Sequence, residues 1–125
     1  GKQTRSFLYI DECIEAVLRL MDSDFQGPVN IGSEELISIN DLARKIISIS
    51  GKNISIKNIE GPVGIRGRNS DNKLFKDNVG WAPSESLEVG LRKTYEWINL
   101  VVNQKRNLIN SAQLDMMDRI SRYGT

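Results

Sequence analysis

Apolar positions along this chain alternate between two spacings, and each change of spacing marks an element. Phe7-Leu8-Tyr9-Ile10 is an unbroken aromatic and branched run, which predicts a strand at residues 7–10. Cys13, Ile14, Val17, Leu18, Leu20 and Met21 then recur at helical spacing, with Asp11 positioned to cap the first turn and Asp22-Ser23-Asp24 to end it. Gln26-Gly27-Pro28 reads as a turn and Val29-Asn30-Ile31 as a short strand closed by Gly32-Ser33. Ser38 with Asp41 three residues on resembles a capping box, Leu42, Ile46 and Ile49 form the stripe behind it, and Gly51 stops the helix.

Ile54, Ile56 and Ile59 predict a third short strand, followed by a Gly-Pro-Val-Gly turn at residues 61–64. Asp71 can cap a short helix carrying Leu74, Phe75 and Val79, which Gly80 ends before the turn Trp81-Ala82-Pro83. Leu87, Leu91, Tyr95, Ile98 and Val102 mark the longest helix, with Ser86 at its start. Beyond Gln104 the pattern weakens, although Leu114, Met117 and Ile120 could form one more amphipathic helix. The reading is an α/β lobe of short strands and four or five helices.

Composition narrows the function classes. Basic and acidic residues number 17 and 16, a balance that argues against non-specific nucleic-acid binding. One cysteine and no histidine argue against an internal disulfide and against a zinc or redox-metal site. No apolar run reaches the roughly 18 residues a bilayer span requires. A reducing, cytoplasmic setting is expected, with neither nucleic acid nor membrane as partner.

The chemistry concentrates in Arg66-Gly67-Arg68-Asn69-Ser70-Asp71-Asn72. Two forked, permanently charged groups in one turn suit a phosphate or pyrophosphate, since each can donate parallel hydrogen bonds to its oxygens. An isolated Arg-Gly-Arg is more often a solvated loop. Here a second basic element, Gln3-Thr4-Arg5-Ser6, stands at the mouth of a strand, so two sites could converge on one anion.

At these residues the chain resembles a known family. Arg5-Ser6-Phe7-Leu8-Tyr9-Ile10-Asp11-Glu12, Gly27-Pro28-Val29-Asn30-Ile31-Gly32-Ser33 and Ser38-Ile39-Asn40-Asp41-Leu42-Ala43 are similar to strand and helix segments of extended short-chain dehydrogenases, which include the nucleotide-sugar epimerases and dehydratases. Gln3-Thr4-Arg5-Ser6-Phe7, the arginine loop, and Gly80-Trp81-Ala82-Pro83 with Gly90-Leu91-Arg92 resemble most the GDP-mannose 3,5-epimerase group within it. The resemblance implies that residues 1–103 are a carboxy-terminal nucleotide-sugar-binding lobe, with residues 104–125 a tail that could be helical. It also implies an NAD-dependent isomerase in which C4 of the sugar is transiently oxidised, acidifying the protons at C3 and C5, and which works as a homodimer.

The family's glycine-rich cofactor turn, its Tyr-x-x-x-Lys pair and its proton-moving Cys and Lys have no counterpart here. Tyr9 is followed four residues later by Cys13, and Cys13 falls on an apolar helical face as a structural thiol would. NAD is therefore expected to be held by a part that precedes this chain, and no catalytic residue is assigned. Gln3, Thr4 and Arg5 match the family segment lining the nucleotide-sugar site, and Arg68 matches an arginine that contacts the diphosphate. Arg66 is assigned no contact, Ser70, Asp71 and Asn72 are read as helix caps, and Trp81 as turn packing. Tyr123-Gly124-Thr125 could begin a further substrate segment. Two alternatives stay open: a UDP- or dTDP-sugar epimerase, dehydratase or decarboxylase, and a non-catalytic ligand-binding or interaction module using the same arginines.

Overall fold

The computed structural model describes residues 1–62 and 64–123, with side chains described as far as residue 117. Val63 of the expected turn, Ile120 of the expected final stripe, and Gly124 and Thr125 of the tail motif lie outside that description. Within it, four helices and three two-residue strands follow one another as β1 (Thr4–Arg5), α1 (Ile10–Met21), β2 (Ile37–Ser38), α2 (Ile39–Ser50), β3 (Gly67–Arg68), α3 (Lys73–Val79) and α4 (Leu87–Tyr123). The strands form one sheet in the order β2-β1-β3, with β1 antiparallel to β2 and parallel to β3. The α/β class and the helix number agree with the sequence reading.

The strands are elsewhere than expected. Residues 7–10 make no ladder: Tyr9 occupies the position before α1 and Ile10 is already helical. The ladder hydrogen bonds belong to the more polar Thr4 and Arg5. Val29-Asn30-Ile31 is likewise unpaired. The adjoining Gly32 finds its partner in a side chain, because the amide of Asn72 supplies both the donor and the acceptor that a neighbouring strand would offer. Ile54, Ile56 and Ile59 are exposed and outside the sheet, although Ile54 and Ile56 line a shallow cavity of about 440 Å³ with Ile47 of α2.

Helix boundaries follow local chemistry. Ser38 caps α2 as the capping box predicts: its Oγ accepts from the Asp41 amide at 3.1 Å and donates to the Asp41 carboxylate at 2.6 Å. Gly51 and Gly80 end α2 and α3 with φ of 63° and 72°, left-handed values that favour glycine. Asp11 lies inside the first turn of α1 and does not cap it. Asp71 does act at the start of α3, accepting from the Lys73 amide at 2.9 Å, while Asn72 turns its amide inward instead of capping. The Ser86 carbonyl accepts the Gly90 amide at 3.2 Å, and Glu35 takes the Leu87 amide at 2.9 Å.

α4 is one helix of 37 residues where two shorter ones were expected. The weak stretch after Gln104 contains neither proline nor glycine until Gly124, so nothing in it interrupts i-to-i+4 bonding even though its apolar stripe fades. The chain divides into two compact units, Gly1–Arg92 and Lys93–Thr125. The core of the first rests on Ala16, Ile37, Phe75 and Leu87. Phe75 is wholly buried and meets Trp81 edge to face with ring centroids 6.2 Å apart, while the Arg19 guanidinium lies 5.4 Å from the Trp81 ring centre. Trp81 thus packs its turn, as its neighbouring glycine and proline suggested.

Candidate anion site

Parallel pairing of β1 with β3 brings together the two basic segments that stand more than half the chain apart in sequence. Thr4 is in register with Gly67, and Arg5 with Arg68. Register partners in a parallel pair project from the same face, so the two arginine side chains emerge side by side. The pair is extended at its start by the Thr4 amide, which donates to the Arg66 carbonyl at 2.8 Å. On the other edge the Gln3 carbonyl accepts the Ile39 amide at 3.1 Å, tying β1 to the first turn of α2.

Gly67 has a role its sequence context did not reveal. It permits close approach, since a Cβ on Gly67 would lie 2.7 Å from the Thr4 Oγ1. Only a hydrogen fits between β1 and β3 on that face, and the arginines face away from it.

The electrostatics suit an anion. Arg66 and Arg68 are exposed and have no carboxylate partner among the described residues. Arg5 is half-buried and donates from Nη1 to the Thr4 carbonyl at 2.6 Å, which orients the guanidinium while leaving its remaining donors available. Two adjacent cations with no counter-charge among the described residues repel each other, and an anion placed between them would relieve that repulsion. By contrast, four acids of this unit are committed to ion pairs elsewhere. Asp41 pairs with Arg44, Asp77 with Lys73, Glu15 with Arg19, and Glu88 with both Lys45 and Arg92.

Of the residues singled out from sequence, Thr4, Arg5 and Arg68 meet in the ladder and Gln3 adjoins it. Cys13 is half-buried on α1, away from any such ladder. Sequence reasoning missed the role of Asn72, which is 4% exposed and binds Gly32 through its side chain. No periodicity could have linked residues 40 positions apart.

No protein-family profile matches this chain. GDP-mannose 3,5-epimerase of Arabidopsis thaliana is 53% identical to it over 106 residues, which cover 85% of this chain and 28% of that protein. Among solved structures, UDP-glucose 4-epimerase with UDP-glucose from Thermotoga maritima superposes with a TM-score of 0.77 at 27% identity, covering 82% of this chain and 33% of the other. UDP-glucuronic acid 4-epimerase from Bacillus cereus, in complex with NAD, gives 0.69 at 31% identity over 81% of this chain and 33% of its own. The chain thus spans under a third of the length of this Arabidopsis relative. By sequence and fold alike, it belongs to the extended short-chain dehydrogenase family.

Proposed function

We propose that this chain is the substrate-binding lobe of a longer NAD-dependent nucleotide-sugar epimerase, and that Arg5 and Arg68 together grip the diphosphate of GDP-mannose. The in-register placement of the two arginines on β1 and β3 is the observation that carries this reading. By the two-residue alternation Gln3 falls on the arginines' face, whereas the Thr4 hydroxyl lies on the opposite face against Gly67. The 53% identity to a GDP-mannose enzyme, against 27% and 31% for two UDP-sugar enzymes, favours guanosine over uridine as the base. NAD, when bound, accepts and returns hydride at C4 of the sugar. This chain has no glycine-rich turn to cradle it, so the cofactor belongs to another part of the longer protein.

The lobe's own work is binding and orientation. Charge-assisted contacts to the diphosphate lie away from the reacting carbons, and their energy goes into holding the sugar where acid/base groups elsewhere can reach C3 and C5. A cytoplasmic setting and a homodimeric longer protein complete the proposal.

Titrating GDP into the ¹⁵N-labelled chain at fixed salt, followed by NMR, tests the binding role. Arg68→Ala should weaken GDP by at least about tenfold, near 1.4 kcal/mol. Arg68→Lys should recover only part, because an ammonium cannot reproduce a planar fork. UDP and pyrophosphate run alongside separate the base from the phosphates. Wild-type affinity in Arg68→Ala would remove the diphosphate role.

A further inference from the structure

The loop bearing Arg68 is fastened at both ends, and the Asn72 side chain is the centre of the fastening at its far end. At the near end the Arg66 carbonyl takes the Thr4 amide at 2.8 Å. At the far end Asn72 closes a two-point clamp on Gly32: Oδ1 accepts the Gly32 amide at 3.1 Å, and Nδ2 donates to the Gly32 carbonyl at 2.7 Å. Ser70 joins the clamp twice, donating its hydroxyl to the same Oδ1 at 2.8 Å and its amide to the Ser33 carbonyl at 3.3 Å. The Asn72 amide itself donates to Glu34 at 3.4 Å.

Asn72 is 4% exposed, and its side-chain oxygen and nitrogen both have partners. A buried primary amide used in this way stands in for a β-ladder, and its loss leaves two backbone groups of Gly32 unpaired. The fit is tight as well as polar. A Cβ on Gly32 would sit 2.6 Å from the Ser70 Cβ, so the two loops touch at the one residue that carries no side chain. Helix N-capping would not require any of this, and Asn72 makes no side-chain cap bond to α3.

We infer that Asn72 is a positioning residue for Arg68, acting through the Gly32 clamp to hold the arginine loop against β1. The inference rests on the reading of Arg68 as a diphosphate ligand. It assigns to the Gly32 turn, distant in sequence from either arginine segment, a share in setting anion affinity. A loop held at Arg66 and at Asn72 gives Arg68 little freedom, so its fork meets the anion with its ordering largely complete before binding. Released at Asn72, the same arginine keeps its charge and loses its place.

GDP titration of the complete 125-residue chain by NMR, with four species compared, tests this. Asn72→Ala should weaken GDP roughly tenfold, of the order that misplacement of a binding group brings. In an Arg68→Ala background the same Asn72→Ala change should add less than about twofold, because the residue it acts through is gone. Thermal melting of each variant reports the fold separately. Gly32→Ala provides a second route: its backbone suits any residue, so the added methyl acts by displacing Ser70, and GDP should weaken in the same way without loss of the Asn72 amide. Should Asn72→Ala fail to fold, Gly32→Ala with and without Arg68→Ala decides the matter by the same comparison. Wild-type GDP affinity in the clamp variant, or an equal fold-loss with and without Arg68, overturns the positioning role. Undiminished affinity in Arg68→Ala alone instead overturns the diphosphate reading on which it rests.

Discussion

Gly67 is the residue whose substitution should report most sharply on the arrangement of the two arginines. A methyl there would meet the Thr4 Oγ1 at 2.7 Å, and either the Thr4 side chain or the pairing of β1 with β3 must yield. Gly67→Ala is expected to destabilise the chain by about 1–3 kcal/mol, the usual range for overpacking. Adding Thr4→Ala removes the obstructing hydroxyl and should restore most of that loss, which paired chemical denaturation curves would measure. An undisturbed Gly67→Ala protein would mean that the two strands are not in this contact. At the same scale, the residues named from sequence as a nucleotide-sugar site sit together because of one backbone register, which side-chain chemistry alone could not have disclosed. Arg68 was legible as a candidate anion ligand from the forked pair it makes with Arg66, and Arg5 from a second basic element that could converge on the same anion. Their nearness depended on which strand lay beside which.

Among the elements, helices were legible and strands were not. Helix α2 shows why: Ser38, Asp41 and Gly51 are local signals, acting within a few residues of where they stand. Ser38→Ala should therefore remove about 1 kcal/mol of stability. The strands depend on partners far along the chain, so isoleucines at 54 and 56 could alternate as a strand would and still lie outside the sheet. α4 ran past its expected end because a fading apolar stripe is not a stop signal. Acid sensitivity belongs to this scale too. The Ser38 hydroxyl and Arg44 hold the Asp41 carboxyl below its ordinary range, and Arg92 and Lys45 do the same for Glu88, where Lys45 joins α2 to α4. Both folded values are depressed, so the stability these groups add is present above about pH 4 and lost as pH falls through the folded values. Melting curves from neutral to acid pH should show a loss below about pH 4 that is shallower in Glu88→Gln. Equal slopes in the two proteins would deny Glu88 that part.

For the whole molecule, a wide apolar face is left in solvent. Ile10, Ile14, Val17, Leu18 and Met21 of α1 are 45–75% exposed at helical spacing. The chain covers less than a third of its Arabidopsis relative. Lacking a cofactor cradle of its own, it should convert no GDP-mannose when incubated with NAD, as NMR of the sugar would reveal; turnover above a contaminant control would contradict the lobe reading. The central claim is narrower: Arg5 and Arg68 serve one anion. A double-mutant cycle measures this, with GDP titrated at constant salt into wild type, Arg5→Ala, Arg68→Ala and the pair. Residues sharing one diphosphate should be coupled by more than about 0.5 kcal/mol, whereas losses that simply add, or no loss at all, would show that the register which brings the arginines together does not make them a site.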